Sequence, residues 1–185
     1  MTRLSGPRLL PSGPDDWDEE TRSLLAKGTG RAEDAYNVAK TISHHPKLMK
    51  RWTPLLNHCF IKSTLPGRDR ELLILRIAWL TKSEYEWGQH IVMCLDYDCD
   101  QGDIDRIQAG PAAAGWSDHE RHLLNAVSEL LDETFLSDET WAGLGASYDN
   151  KQILDLIFTV GNYKMLAMAL NSLGVQLDEG LKGFD

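Results

Sequence analysis

Two residues with side chains suited to proton transfer, Glu86 and His90, lie four positions apart in the sequence. If this segment is helical, both side chains project from one face. A carboxylic acid beside an imidazole is a natural set for moving protons, and burial would raise the pKa of Glu86 toward neutrality. An imidazole ordinarily titrates in that range. Glu86 and His90 are therefore candidate catalytic residues, although spacing alone favours an exposed charge pair.

Two further charged residues precede this pair. Glu71 lies at the start of an apolar segment and could orient Glu86 or His90 by a hydrogen bond; we predict it as the third catalytic residue. Its alternative is a first-turn acid that complements the helix dipole. Arg76 is the only charge in the middle of that segment and could hold a substrate carboxylate by bidentate pairing. Its alternative is an ion pair with a nearby glutamate.

The cysteines and histidines do not form a recognisable metal-binding pattern. Glu86, His90 and Cys94 share a helical stripe, but eight residues rise ~12 Å, so at most two of them could share one metal ion. No second cluster completes a zinc-like set, and we predict no metal site. The cysteines are three in number, Cys59, Cys94 and Cys99, and they form no Cys-x-x-Cys. A disulfide framework is therefore not expected.

The elements that must position these residues are helices. The apolar spacing is helical nearly everywhere after residue 14, which predicts an all-α protein. RDRELLILRIAWLTK is apolar on all sides and predicts a buried helix, with Asp69 as its cap. EYEWGQHIVMCLDYD predicts the next helix, which carries Glu86 and His90.

The rest of the chain predicts seven more helices and no linker or repeat. Residues 1–14, rich in proline and glycine, predict an extended arm that packs on a neighbouring subunit, and residues 15–185 predict a single domain. One predicted helix begins within DDWDEE, the next covers 31–42, and a third begins at Pro46 and is kinked or interrupted at Pro54. The remaining four are a short helix that ends at Gly110, two that begin at Ser117 and Ser137, and a long one that ends at Gly174.

Composition excludes several classes of protein. The chain has 185 residues, 42% hydrophobic and 25% charged, which is ordinary for one globular domain. Its formal net charge of −9 leaves no excess of lysine and arginine to neutralise phosphates, so we expect no nucleic-acid partner. We find no apolar run of the ~20 residues that a membrane span needs and no apolar signal core, so we predict a cytoplasmic protein without a membrane partner.

The stretch RELLILRIAWLTKSEYEWGQH resembles the signature of the carboxymuconolactone decarboxylase superfamily, which includes the alkyl hydroperoxidase D proteins. The resemblance covers roughly residues 45–130 and implies the alkyl hydroperoxidase D-like helical bundle. Peroxidatic members carry a glutamate, then Cys-x-x-Cys, then a histidine four residues later. Aligned by His90, these positions correspond here to Glu71, Ser83 and Glu86.

This departure changes the implied chemistry. A thiol peroxidase needs an attacking thiolate and a resolving thiol, and neither Ser83 nor Glu86 supplies one. Thiol hydroperoxidase activity is therefore not expected. The decarboxylase branch, which needs no metal or organic cofactor, forms a carbanion-like intermediate that a protein acid protonates. Glu86 or His90 could do this here.

The leading hypothesis is therefore a cofactor-independent, lyase-type enzyme acting on a small cyclic or aromatic-derived carboxylated compound, as in aromatic compound catabolism. Arg76, Tyr85 and Trp87 are the predicted substrate-binding residues. An isomerase or dehydratase on a similar molecule, a non-catalytic helical binding module and a residual redox role of the cysteines are the alternatives. The resemblance also implies a homo-oligomer, as a dimer, trimer or hexamer.

Overall fold

The computed structural model describes residues 4–184. Within this range the chain forms helices and no strand, which confirms the all-α prediction. The α-helices are α1 (Glu19–Thr29), α2 (Asn37–Ile42), α3 (Pro46–Asn57), α4 (Gly67–Thr81), α5 (Glu84–Leu95), α6 (Gln101–Ala109), α7 (Asp118–Asp132), α8 (Asp138–Gly145) and α9 (Asn150–Leu173).

Helix α4 is the centre of the bundle. It packs against α5, α6, α7 and α9, and the apolar run Leu72–Leu75 with Ile77 and Ala78 has no solvent exposure. Burying each of these larger side chains contributes about 1.5–3 kcal/mol, which fixes the helix firmly among its neighbours. Because α4 is surrounded, four of its charged residues, Asp69, Arg70, Glu71 and Arg76, are buried as well and need partners inside the protein.

Asp69 does not cap α4. The helix begins at Gly67, two residues earlier, after Pro66, whose extended backbone occupies the N-cap position. Asp69 therefore lies inside the first turn, where its carboxylate accepts hydrogen bonds from the Tyr148 hydroxyl (2.5 Å) and from the His119 ring (2.9 Å). The prediction was wrong because a buried partner on another helix was invisible in the local sequence.

Two other predicted boundaries differ. The helix predicted over 31–42 is a 3₁₀ turn, Ala32–Asp34, followed by the short α2, with Ala35 and Tyr36 in extended backbone between them. Pro54 does not interrupt α3, which continues to Asn57 and then widens into a π-helical turn, His58–Lys62.

The predicted helix ends at glycine and at Ser117 are confirmed. The Ser117 hydroxyl accepts from the Glu120 amide, and the Glu120 carboxylate accepts from Ser117 in return. Gly110 and Gly174 stop α6 and α9 with φ of 94° and 70°, in the region that favours glycine. Ser137 likewise caps α8 by accepting from the Thr140 amide.

The two ends of the described chain pack on its own helices. The amides of Arg8 and Leu9 donate to the carbonyl of Leu173, so residues from the arm lie against the end of α9 rather than standing free. At the other end, Phe184 packs against Trp79 and Trp87, with ring centroids 5.4 Å and 5.5 Å away. The predicted contact of the arm with another subunit stays a prediction, and its residues 1–3 lie outside the described residues.

Helix α9 is long and apolar enough to cross a membrane by length and composition, contrary to our expectation that no run approaches that length. Within the fold, 56% of its apolar window is buried, as in the core helix of a soluble protein. The exposed residues of α9 include a stripe along one face, in which the spacing alternates between four and three residues. This stripe consists of Leu154, Phe158, Gly161, Met165 and Met168. The homo-oligomer predicted from the sequence stays a prediction.

Candidate functional site

A cleft of about 170 Å³ lies between α5, α9, the end of α3 and the segment that enters α2. Most of its wall is apolar or aromatic, contributed by Tyr36, Val38, Leu56, Phe60, Tyr85, Met93, Tyr163 and Leu166. Four residues with stronger polar groups interrupt this wall: Asn57, Glu86, Gln89 and His90. The structure thus brings three predicted site residues, Tyr85, Glu86 and His90, to one cleft.

Glu86 is a buried acid without a partner. It lies in the first turn of α5 and is 2% exposed. Neither of its carboxyl oxygens has a hydrogen-bond partner among the described residues. Burial raises the pKa of Glu86 to about 8, against a smaller lowering by the neighbouring Ser83 hydroxyl, although no hydrogen bond of ordinary geometry joins the two side chains. At neutral pH this carboxyl group therefore holds a proton at the wall of the cleft.

His90 is held by Glu71 and not by Glu86. Its Nδ1 lies 2.7 Å from Glu71 Oε2, and Glu71 has no solvent exposure. The other oxygen of Glu71 accepts from Arg70, whose Nε and Nη2 lie 3.1 Å and 3.0 Å away. Because a carboxylate can only accept, Nδ1 of His90 donates, and in a neutral imidazole Nε2 then carries the lone pair.

The imidazole ring of His90 also packs against two aromatic rings. The Phe60 ring, on the π-helical turn, and the Tyr163 ring, on α9, meet His90 edge-on, with centroids 5.8 Å and 5.3 Å away. Burial and the nearby charges of Glu71 and Glu86 raise the pKa of Tyr163 well above its ordinary value, so its phenol stays protonated. Since Nδ1 is engaged by Glu71, Nε2 is the nitrogen that His90 offers to the cleft.

A hydrogen-bond cluster on the C-terminal segment supports the wall of the cleft. Asp178 accepts from the Tyr85 hydroxyl and, at 2.7 Å, from the Gln89 amide. Its other oxygen accepts from the backbone amide of Asn37, at the start of α2, at 2.8 Å. Burial, followed by the Asp178 carboxylate, raises the pKa of Tyr85. Asp178 thereby joins α5 to the segment that carries Tyr36.

Arg76 and Trp87 do not line the cleft. The guanidinium of Arg76 donates to the carbonyl of Ile107 at 2.8 Å and lies against Gly110, where α6 ends. Within residues 4–184 it forms no ion pair with a glutamate, so neither role left open by the sequence matches its position. Trp87 is 1% exposed and stacks with Trp79 and Phe184 in the core. Both side chains are on faces of their helices that point away from the cleft.

Sequence reasoning missed four residues that shape the site. Arg70 had a signal, because it directly precedes Glu71 at the start of a buried helix and needs a partner there. Phe60, Tyr163 and Asp178 had none, since each lies far from α5 in the sequence and reaches it only through the fold.

The expectation of no disulfide was wrong. Cys94 and Cys99 are bonded, with an S–S distance of 2.07 Å, across the turn that ends α5. An odd cysteine count leaves one thiol unpaired, and Cys59 is that residue, buried in the core. No group of three or more histidine, cysteine or acidic side chains is arranged to hold a metal ion within residues 4–184.

The fold defines a class of proteins. A solved structure described as an alkylhydroperoxidase AhpD core, an uncharacterized peroxidase-related protein from Ralstonia eutropha JMP134, superimposes with a TM-score of 0.81 at 13% identity, covering 94% of this chain and 93% of that one. A peroxidase-related protein from Silicibacter sp. TM1040 gives 0.78 at 13% identity, with 96% of each chain covered. The debrominase Bmp8 in complex with 2,3,4-tribromopyrrole gives 0.73 at 12% identity, covering 95% and 94%. These likenesses confirm the predicted alkyl hydroperoxidase D-like fold.

Sequence comparison matches part of the chain to a family model. Residues 46–129, from α3 to α7, match the model of the carboxymuconolactone decarboxylase family. The matched segment contains Glu71, Glu86 and His90 and has no Cys-x-x-Cys. Its bonded cysteines, Cys94 and Cys99, are five residues apart and do not form that motif. The sequence has no significant match among the curated proteins.

Proposed function

We propose that this chain is a cofactor-independent acid–base enzyme of the lyase type, which moves protons at a carbon atom of a small cyclic compound. The observation that carries the proposal is Glu86: a buried, unpaired carboxyl group, protonated at neutral pH, at the wall of an apolar cleft beside His90. Such a group is poised near the working pH, as a general acid must be.

The roles follow from the two environments. Glu86 gives its proton to a carbonyl oxygen of the substrate, while Nε2 of His90 takes a proton from the adjacent carbon, which yields a neutral enol. In an isomerisation, His90 gives its proton to a different carbon atom while the enol hydroxyl returns its proton to Glu86. In an elimination, the enol hydroxyl likewise returns its proton to Glu86, and a leaving group on the neighbouring carbon departs with the proton that His90 had taken. Glu71 is the positioning residue, since it fixes the tautomer and the orientation of His90.

The substrate is proposed to be a ring of aromatic origin, and the cytoplasm is the proposed location. Support for a ring comes from the aromatic wall of the cleft and from the family whose model matches residues 46–129. Bmp8, which shares the fold, was solved with a small aromatic ring, 2,3,4-tribromopyrrole. A residual peroxidase role is not proposed, because Ser83 and Glu86 stand at the positions of the peroxidatic thiols.

The test is proton exchange at carbon. Cyclic ketones, enones and lactones are incubated with the protein in D₂O, and loss of the proton next to the carbonyl is followed by NMR. We expect exchange with at least one compound and a rate about 10²–10⁴-fold lower for Glu86→Gln. Glu139→Gln, which changes an exposed carboxylate on α8, is the matched control and should keep the full rate.

Two results would favour a non-catalytic binding module instead. One is a wild-type protein that exchanges none of these compounds. The other is a Glu86→Gln protein that matches the wild-type rate on every compound that exchanges.

A further inference from the structure

The described wall of the cleft contains one carboxyl group, that of Glu86, and no lysine or arginine. The remaining polar groups are neutral amides and phenols together with His90. A molecule that enters therefore meets donors and acceptors of hydrogen bonds but no free positive charge.

The two buried guanidinium groups that precede α5 in the sequence, those of Arg70 and Arg76, are bound to other groups. Arg70 donates twice to Glu71, and its guanidinium carbon lies 5.4 Å from the centroid of Phe60 and 4.7 Å from that of Tyr97. Phe60 lines the cleft, so an aromatic ring covers this cation on that side. Arg76 donates to the Ile107 carbonyl and is also unavailable.

An anionic ligand is consequently disfavoured on two grounds. It would give up its hydration on entering an apolar cleft without gaining a cation in return. It would also lie beside Glu86, which repels it when ionised and cannot neutralise it when protonated. An uncharged carbonyl compound avoids both costs, and the carbonyl oxygen can accept a hydrogen bond from Glu86.

The volume of the cleft is sufficient for one ring. An apolar cavity of about 150 Å³ is known to accommodate benzene. The cleft, at about 170 Å³, has room for a ring of that size with one small substituent.

We infer that the cleft selects an uncharged, single-ring compound with a carbonyl acceptor and discriminates against a carboxylate of the same shape. The inference rests on the proposed function, because it concerns the same cleft, and it narrows the reaction. A decarboxylase must bind a carboxylate, whereas a dehydratase or isomerase need not, so the wall favours the latter two.

The experiment compares benzamide with benzoate, which have nearly the same shape and differ in charge. Binding of each to the full chain at pH 7 is measured by ligand-observed NMR and calorimetry. We expect benzamide to bind at least tenfold more tightly. Met93→Lys places a cation in the cleft and should reverse the preference, whereas Val92→Lys, on the exposed side of the same helix (53% exposed), should leave it unchanged.

Equal or tighter binding of benzoate to the wild-type protein would overturn the inference, as would the absence of binding of both compounds up to their solubility limits. The failure of catalysis is separable from this outcome. Glu86→Gln keeps a neutral hydrogen-bond donor in the cleft and should still prefer benzamide even when proton exchange is lost.

Discussion

Glu71 and His90, nineteen residues apart on two adjoining helices, are joined by a hydrogen bond of 2.7 Å between Oε2 and Nδ1. Glu86 is only four residues before His90 on the same helix, and its carboxyl group has no hydrogen-bond partner in the described part of the chain. The two glutamates therefore have opposite environments: Glu71 accepts from Arg70 and His90, whereas Glu86 faces an apolar cleft. Environments that separate two acids in this way assign them different roles.

The stability of the protein should depend on pH through Glu86. Its pKa is about 8 in the folded chain and 4.5 in the unfolded reference, so between these values the folded state holds a proton that the unfolded state has released. Stability is then highest below pH 4.5 with respect to this group, and it is lost as the pH rises toward 8. Relative to Glu86→Gln, the wild-type free energy of unfolding should fall by about 1.4 kcal/mol per pH unit between pH 5.5 and 7.5. Urea denaturation at several pH values measures this; parallel pH dependences for the two proteins would contradict a raised pKa.

The rate of proton exchange should depend on the same ionisation. A general acid acts in its protonated form, so the Glu86-dependent rate should be level just below pH 8 and fall about tenfold per unit above it. A pH–rate profile on the compound that exchanges fastest tests this, with the ordinary hydroxide-catalysed rate subtracted. A rate that keeps rising through pH 9 would show that Glu86 acts as a base or not at all.

Removing the charge of Glu71 should destabilise the fold. Glu71→Gln leaves the buried guanidinium of Arg70 without its carboxylate, and breaking a buried pair in this way costs about 3–5 kcal/mol. The double variant Arg70→Met with Glu71→Gln is the matched control, since it removes both charges and should recover much of the loss. Urea denaturation gives the stabilities, and the Nδ1–H resonance of His90 reports the hydrogen bond. A loss below about 1 kcal/mol in the single variant would show that the pair is not closed in solution.

The core of the fold and the positions of Glu86 and His90 on one helix were predictable, because both follow from helical periodicity within α4 and α5. The pairing of His90 was not, because local spacing favours its neighbour Glu86, whereas the fold brings Glu71 closer. Arg76 illustrates the same limit: a lone charge in an apolar helix indicates a need for a partner, yet the sequence could not identify the Ile107 carbonyl as that partner. Long-range contacts decide which buried charges are available for chemistry.

The C-terminal segment should affect the cleft through Asp178. Asp178→Asn removes the charge that accepts from Tyr85, Gln89 and the Asn37 amide, and hydrogen bonds to a charged group contribute about 1.5–3 kcal/mol each. We expect a lower melting temperature and weaker binding of benzamide, because Tyr85 and the segment before α2 both line the cleft. Glu179→Gln, at the exposed next position, is the control and should change neither quantity. Unchanged binding in Asp178→Asn would mean that the wall holds its shape without this cluster.

The exposed stripe on α9 offers the predicted homo-oligomer a face for self-association. Its spacing of four and three residues matches the seam of a helix pair, and it is nearly symmetric about Gly161, beside which a Cβ would meet open space. A second copy running antiparallel would set Leu154 near Met168 and Phe158 near Met165, as an isologous contact requires. Native mass spectrometry should therefore show a multimer that Phe158→Glu converts to a smaller species. Phe135→Glu, which changes an aromatic residue of similar exposure outside α9, should leave the mass unchanged. A wild-type monomer at micromolar concentration, or equal effects of the two substitutions, would remove this face from consideration.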